Sequence, residues 1–457
     1  MRYKRRLFRP ASPRGLVVHL LDRIEREGAF AESLLDVYLT TNLQNDEKNR
    51  RLVTQVLFGT LRMRGYLDWI ISCFYRGSFA AMDDGLKNIL RAALYQMFFL
   101  DRIPSYAAVN EAVAMTEARF RGRGGLVNAI LRHAIRGKDA MDLPDRDRDL
   151  PLYVSVVHAH PKWLVETWLK RFGEEETIRL CAAGNTTPPV TVRVNTLKTS
   201  RREVLEEMQA SGIDAVAAGY SPDGVRIIHS SLPARYTPWF KEGKIQFQDE
   251  GSQLISRFLD PKPSENILDL CSGTGGKTTH LAALMGGAGR IVALDNRQGK
   301  LDALRDMARR MGVSCIETLC RDGRGHPPEG MAGHFDRVLV DAPCSGLGTL
   351  RRNPEIKWRL VPGDIAPLAD LQFGLLEGAA RYLKKGGCLV YSTCSLLPEE
   401  NEDNVRAFLA RHPEFRLDLP PITIHSDCLD RDGCLRTLPH LHDMDGFFAA
   451  RLVRTMA

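Results

Sequence analysis

Ile267-Leu268-Asp269-Leu270-Cys271-Ser272-Gly273-Thr274-Gly275-Gly276-Lys277-Thr278 starts as a short apolar run, breaks into a glycine-rich turn and continues with helical spacing. A strand that turns on glycines into a helix is the first unit of a nucleotide-type α/β sheet. Working outward, Arg290–Leu294, Cys315–Leu319, Arg337–Val340 and Cys388–Tyr391 read as further strands. Thr278–Met285, Gln298–Met311, Leu368–Leu383 and Glu399–Arg411 read as helices between or after them. That alternation predicts a doubly wound parallel sheet. The late apolar stretch Gly446–Leu452 is expected to close it antiparallel.

Three ligands compete for the turn. A phosphate loop needs Gly-x4-Gly-Lys-Thr; Gly276-Lys277-Thr278 supplies the end, but the first glycine would fall on Cys271. A dinucleotide fingerprint needs a small residue at 278, where Thr stands. The shorter Gly-x-Gly-Gly turn, with an acidic residue ending the next strand, suits S-adenosylmethionine. Asp295 is that residue, and its carboxylate could chelate ribose hydroxyls. The turn alone leaves the methyl donor and NAD both open. Asp322, in Cys320-Arg321-Asp322-Gly323, is placed to accept from an adenine amino group, or is a surface-turn aspartate.

Two cysteines stand at the mouths of predicted strands, where open sheets bind ligands, in Asp341-Ala342-Pro343-Cys344-Ser345-Gly346 and Tyr391-Ser392-Thr393-Cys394-Ser395. Asp341 ends an apolar strand, where a carboxylate is costly unless it is used. Adjacent strand ends can bring both thiols to one pocket. A lone cysteine is usually inert filling; two flanking an acidic strand end suggest chemistry on a base. Cytosine C5 is a poor nucleophile, and a thiolate adding to C6 makes it an enamine carbon able to attack a methyl donor.

The chain has 457 residues, 44% hydrophobic and 26% charged, as expected of a soluble protein of two or three domains. It contains no run of eighteen apolar residues, and no apolar signal core follows its basic start, so a cytoplasmic protein without a membrane partner is expected. The ten cysteines include no Cys-x-x-Cys pair, which argues against a disulfide framework and a zinc site; no metal is expected. Residues 1–140 hold 23 Lys and Arg against 14 Asp and Glu, a net of +9, while the remainder nets −2. A polyanion such as nucleic acid explains that asymmetry, as does a solubilising surface.

Residues 12–137 read as helices, with dense apolar patterns at Asn49–Ile71 and Leu86–Leu100. In Arg119-Phe120-Arg121-Gly122-Arg123-Gly124-Gly125, a basic loop could hold phosphate through backbone N–H groups and guanidinium forks, or is an exposed turn. A charged linker follows at 138–150, then a helical pair from His160-Pro161-Lys162-Trp163. Next come the strand Pro189–Asn195, a helix at Ser200–Ser211 and short strands to about 247.

Asp341–Gly348, Ser392-Thr393-Cys394-Ser395 and Arg351-Arg352-Asn353-Pro354-Glu355-Ile356-Lys357-Trp358 resemble the RNA 5-methylcytosine methyltransferases. The helical N-terminus, with Tyr95-Gln96 and Ala107-Ala108-Val109-Asn110-Glu111-Ala112-Val113, resembles the NusB-type RNA-binding domain. Together they are similar to the Sun/Fmu (RsmB) ribosomal RNA cytosine methyltransferases. The resemblance implies a multidomain fold: an all-α NusB-like bundle at 1–140, a small α+β connecting domain at 150–260, and an α/β Rossmann-like class I methyltransferase domain at 261–457. It implies S-adenosylmethionine as cofactor, small-subunit (16S) ribosomal RNA as partner, and a monomer. Cys394 would be the nucleophile on C6, Cys344 would help resolve the adduct, and Asp341 would contact the cytosine edge. Cys271, Ser272, Gly273, Thr274, Gly275, Gly276 and Lys277 would line the donor site, with Asp295 on the ribose and Asp322 on the adenine. Gln248–Ser252 would pack nearby. Arg351, Arg352 and Lys357 are expected on RNA, with Arg121 and Arg123, and Trp358 could stack a base or anchor its loop. One departure stands out: the family's Cys-Ala-Ala-Pro-Gly-Gly-Lys is here Cys271-Ser272-Gly273-Thr274-Gly275-Gly276-Lys277.

Two rivals remain: the same chemistry on DNA or transfer RNA, and a non-catalytic RNA-binding or antitermination factor. The cysteine pair speaks against the second.

Overall fold

The structure, a computed structural model, describes residues 12–42, 46–229, 237–419, 421 and 423–456. The chain divides into two units, Met1–Thr186 with Leu350–Leu360, and Thr187–Thr349 with Val361–Ala457.

The first unit is helical. Pro13–Glu27, Ala31–Asn42, Glu47–Phe74, Asp84–Phe99, Ser105–Arg119 and Gly124–Arg136 enclose an apolar core that includes Leu20, Val56, Leu57, Leu67, Ile71, Leu90, Leu94 and Val127. Ser12 and Asp83 cap two of these helices by accepting from the N–H groups of Gly15 and Gly85. Buried Arg91 is held by Asp68 at 2.6 Å and Glu25 at 2.8 Å, the pairing that a buried guanidinium requires.

The helices Leu150–Val157 and Lys162–Gly184 also belong to this unit, the second broken at Gly173, whose φ is 79°. The contact division thus falls after Thr186. The reason is packing: Leu150–Val157 lies against Glu47–Phe74.

The second unit opens with β1 (Val190–Val194), β2 (Asp214–Ala217), β3 (Gly224–His229) and β4 (Ile245–Phe247), an antiparallel sheet in the order β2-β3-β1-β4. The helix Arg201–Ala210 starts on a capping box between Ser200 and Glu203. The large sheet contains β5 (Asn266–Asp269), β6 (Arg290–Asp295), β7 (Ile316–Cys320), β8 (Phe335–Asp341), β9 (Leu383–Thr393), β10 (Phe415–Leu417), β11 (Leu435–Thr437) and β12 (Phe447–Arg454). Its order is β10-β12-β9-β8-β5-β6-β7, with β11 paired to β12. β5 to β9 run parallel and β12 is antiparallel to β9, as the late apolar stretch predicted. β9 begins five residues earlier than its apolar run, because it follows directly on the helix Ile365–Tyr382.

The strand order reverses at β5, with β6 on one side and β8 on the other. At such a switch point the crossover helices part to opposite faces and open a crevice at the carboxyl strand ends. Asp269 and Asp341 are the last residues of those two strands.

Candidate active site

The glycine turn does what its sequence suggested. Gly275 has φ 93° and precedes the helix Gly276–Leu284; a Cβ there would stand 2.6 Å from Leu304 Cγ. Gly273 and Gly276 meet nothing within 4 Å where a Cβ would point, so their backbone faces open space. That space is a cavity of about 370 Å³ lined by Phe247, Gln248, Asp249, Ser252, Asp269, Cys271–Thr274, Gly276, Lys277 and Asp341. Gln248, Asp249 and Ser252, expected near the donor, are among its walls.

Asp295, at the end of β6, lies outside that lining but abuts the turn: its carboxylate accepts from the N–H of Gly273 at 3.1 Å and of Arg297 at 2.9 Å. Asp322 is half exposed and paired with Arg324 at 2.6 Å, away from the cavity lining. Arg324, two residues on, holds this carboxylate.

Lys277 Nζ lies 2.6 Å from Asp341 Oδ2 and 5.2 Å from the centroid of Phe447, joining the turn to the end of β8. Burial opposes the ammonium charge, but Asp341 outweighs it and holds the pKa above the ordinary lysine value. Ser392 donates to the other oxygen of Asp341 at 3.0 Å. Beneath them, Asp269 accepts from Thr278 at 2.7 Å while its Oδ1 has no partner, and burial pushes its pKa up to about 7.

The register of β8 and β9 sets Asp341 opposite Ser392, so both cysteine turns leave the sheet side by side. Cys344 Sγ and Cys394 Sγ are 3.3 Å apart as free thiols, and the N–H of Cys394 also points at Cys344 Sγ. The hydrogen bond to Cys394, then burial, raises the Cys344 pKa well above that of an ordinary thiol. Gly348 permits the close approach: its N–H donates to Cys394 O at 2.8 Å, and a Cβ on it would fall 1.9 Å from Gly446 O.

Two residues that sequence reading missed support this site. Arg193 looks like the solvent-facing member of an alternating strand, yet it is fully buried. It donates to Gly276 O, Thr279 Oγ1 and Gln248, tying β1 to the glycine turn. Glu400 lies in a stretch expected to be helical. It is fully buried below the cysteines and bonded to Ser345 and Gln372. Neither carries a sequence signal, since their burial depends on neighbours far along the chain.

The basic stretch after the cysteine turn requires a correction. Leu350–Leu360 packs into the helical unit, with Arg351 and Lys357 buried. Lys357 donates to Arg62 O, Ala159 O and Asn185 Oδ1 at 3.0, 3.1 and 2.7 Å, and burial lowers its pKa to about 7. Trp358 donates to Leu61 O at 2.7 Å. Lys357 and Arg351 are thus internal rather than RNA-facing, and Trp358 anchors its segment; Arg352 is half-buried. Arg121 and Arg123 are exposed. In their loop, however, the N–H groups of Gly122 and Gly124 donate to Glu117 at 2.9 and 2.7 Å, so a carboxylate occupies the expected phosphate nest. Among the described residues no metal-binding cluster is found, and no helix is long and apolar enough to cross a membrane.

Three family descriptions match the chain: the NusB family at residues 11–136, the RsmF/B-like ferredoxin-like domain at 160–232, and 16S rRNA methyltransferase RsmB/F at 256–453. The probable ribosomal RNA small subunit methyltransferase B of Bacillus subtilis is 35% identical over 451 residues, covering 96% of this chain and 98% of that one. Ribosomal RNA small subunit methyltransferase B of Klebsiella pneumoniae is 34% identical over 444 residues, covering 96% and 98%. Among solved structures, PH0851 superposes with a TM-score of 0.81 at 30% identity, covering 97% of this chain and 99% of that one. NSun6 from Pyrococcus horikoshii, solved with SFG, gives 0.59 at 25%, covering 66% and 100%. A helical N-terminal domain, a ferredoxin-like domain and a mixed α/β sheet, matched over nearly the whole length, place the chain in the RsmB/F family of 16S rRNA methyltransferases.

Proposed function

We propose that the chain methylates C5 of a cytosine in 16S ribosomal RNA with S-adenosylmethionine, through a covalent bond from Cys394 to C6 that Cys344 helps to resolve. The observation that carries this reading is the pair of free thiols 3.3 Å apart, next to a cavity whose wall includes Asp341 and Lys277. S-adenosylmethionine supplies the methyl group when bound. The cavity suits it: open backbone at Gly273 and Gly276, Asp295 behind the turn, and the unpartnered Oδ1 of Asp269 below.

The chain's own residues then act in order. The target base must leave its stack to reach the thiols. Asp341, oriented by Lys277 and Ser392, meets the cytosine edge and favours a proton at N3, which makes C6 electrophilic. Cys394 bonds to C6, and electron density moves to C5, which takes the methyl group. Cys344, its own proton given up to water, then takes the proton from C5 as the carbon–sulfur bond breaks, which leaves Cys344 as thiol and returns Cys394 as thiolate. Once its sulfur is bonded to carbon, Cys394 is a far poorer hydrogen-bond acceptor. The largest cause of the raised Cys344 pKa is thereby removed when a base is needed.

The test is transfer of labelled methyl from S-adenosylmethionine to 16S ribosomal RNA, followed by nucleoside analysis. Label in 5-methylcytosine is expected. Label in any other nucleoside, or none with a folded protein, overturns the reading.

A further inference from the structure

Glu400 ends a short turn, Pro398–Glu400, with its side chain fully buried. It accepts from Ser345 N at 2.8 Å, Ser345 Oγ at 2.5 Å, Gln372 Nε2 at 2.8 Å and the hydroxyl of Ser395. Ser345 directly follows Cys344, and Ser395 directly follows Cys394. Gln372 also donates to Pro343 O at 3.0 Å, so Cys344 is held on both flanks. All four donors are neutral. Burying a carboxylate without a cation is costly, and a neutral side chain could tie two turns together as well. The negative charge therefore needs a use, and it opposes the ionisation of Cys344, the residue before Ser345.

We propose that Glu400 is a positioning residue that clamps the two cysteine turns at their working separation and keeps the proton of the thiol pair on Cys344, leaving Cys394 to attack. The clamp concerns the same site and rests on the roles given above to Cys394 and Cys344. It performs no bond-making step; it holds the two turns and opposes ionisation of Cys344.

The full-length Glu400→Gln variant tests this by a measurement that needs no RNA: alkylation of each cysteine with iodoacetamide from neutral to alkaline pH, read by peptide mass spectrometry. Without the charge, the Cys344 midpoint should move to lower pH by about one unit, while exposed Cys73 and Cys320 keep theirs. The methyl-transfer kcat should fall about tenfold or more with the RNA KM unchanged. A merely structural tie would lower the melting temperature and leave the Cys344 midpoint in place; that result, or wild-type kcat, overturns the proposal. If Glu400→Gln does not fold, the Ser345→Ala, Ser395→Ala double variant keeps the charge and cuts the hydroxyl bonds. It should lose kcat while retaining the Cys344 midpoint, and wild-type kcat there overturns the clamp. A wild type that makes no 5-methylcytosine would sink the methylation reading, whereas the alkylation profile judges Glu400 independently.

Discussion

The ammonium of Lys277 stands 2.6 Å from Oδ2 of Asp341, so the residue after the glycine turn and the residue ending β8 form one ion pair. It connects the cavity at the glycine turn to the strand that leads into the cysteine turn, and both side chains are largely buried. Removing one partner should strand the other's charge. Asp341→Ala is expected to cost about 3 kcal/mol of unfolding free energy, and Lys277→Met similarly. The double variant should cost less than the sum, because no lone charge remains. Denaturant titration of the three proteins checks this; simple additivity would mean that the pair is not coupled.

Asp295 accepts from the N–H groups of Gly273 and Arg297 and so shapes the glycine turn. Asp295→Ala is expected to weaken S-adenosylmethionine binding by about 1–3 kcal/mol, the scale of a charge-assisted hydrogen bond. Calorimetric titration measures it, and unchanged affinity would remove Asp295 from the site. Asp322, paired with Arg324, gives a contrast: Asp322→Ala should change affinity less.

Internal and exposed basic residues should separate in their salt dependence. Arg121→Ala and Arg123→Ala should each reduce the slope of log K against log salt by about 1 if they touch phosphate. Lys357→Met should leave the slope alone and change only the stability of the helical unit, since its ammonium serves Arg62 O, Ala159 O and Asn185. Filter binding to 16S ribosomal RNA at several salt concentrations distinguishes them. A flatter slope for Lys357→Met would restore it to the RNA surface.

These contrasts mark what the sequence could and could not reveal. The large sheet was legible because its central strands carry short apolar runs, such as Ile291–Leu294 and Val338–Val340, that alternate with helical patterns. The cysteines were legible because Pro343 and the glycines around Cys344 sit at a strand mouth. Lys357 and Arg351 were misread because local composition shows charge but not burial, and the oxygens that hold Lys357, on Arg62, Ala159 and Asn185, lie between 172 and 295 positions earlier. Glu400 and Arg193 were invisible for the same reason. Arg193 alternates with Val192 and Val194 along β1, and its face is covered by the helix that starts at Gly276.

Buried His280 donates from Nε2 to Asp223 at 2.9 Å. Burial, with Arg193 nearby, lowers its pKa to about 4, so the folded protein resists a proton that the unfolded chain takes up near pH 6.5. The unfolded state binds more protons across that window, and stability must therefore rise with pH through it. The contribution is complete above pH 6.5 and is lost as pH falls through 4, on the order of 3 kcal/mol. Denaturant midpoints across this range should slope less steeply in His280→Gln than in the wild type. Parallel slopes would show that His280 does not titrate as described.

The central claim is that Cys394 attacks and Cys344 releases, and covalent trapping tests it most directly. Cys344→Ala, Cys394→Ala and the double variant are each incubated with S-adenosylmethionine and 16S ribosomal RNA, then run on a denaturing gel. Cys344→Ala should retain a protein–RNA complex carrying the transferred methyl, because attack and transfer proceed but release stalls. Cys394→Ala and the double variant should retain none and make no product. A stable complex from Cys394→Ala with none from Cys344→Ala would contradict the account and exchange the two roles.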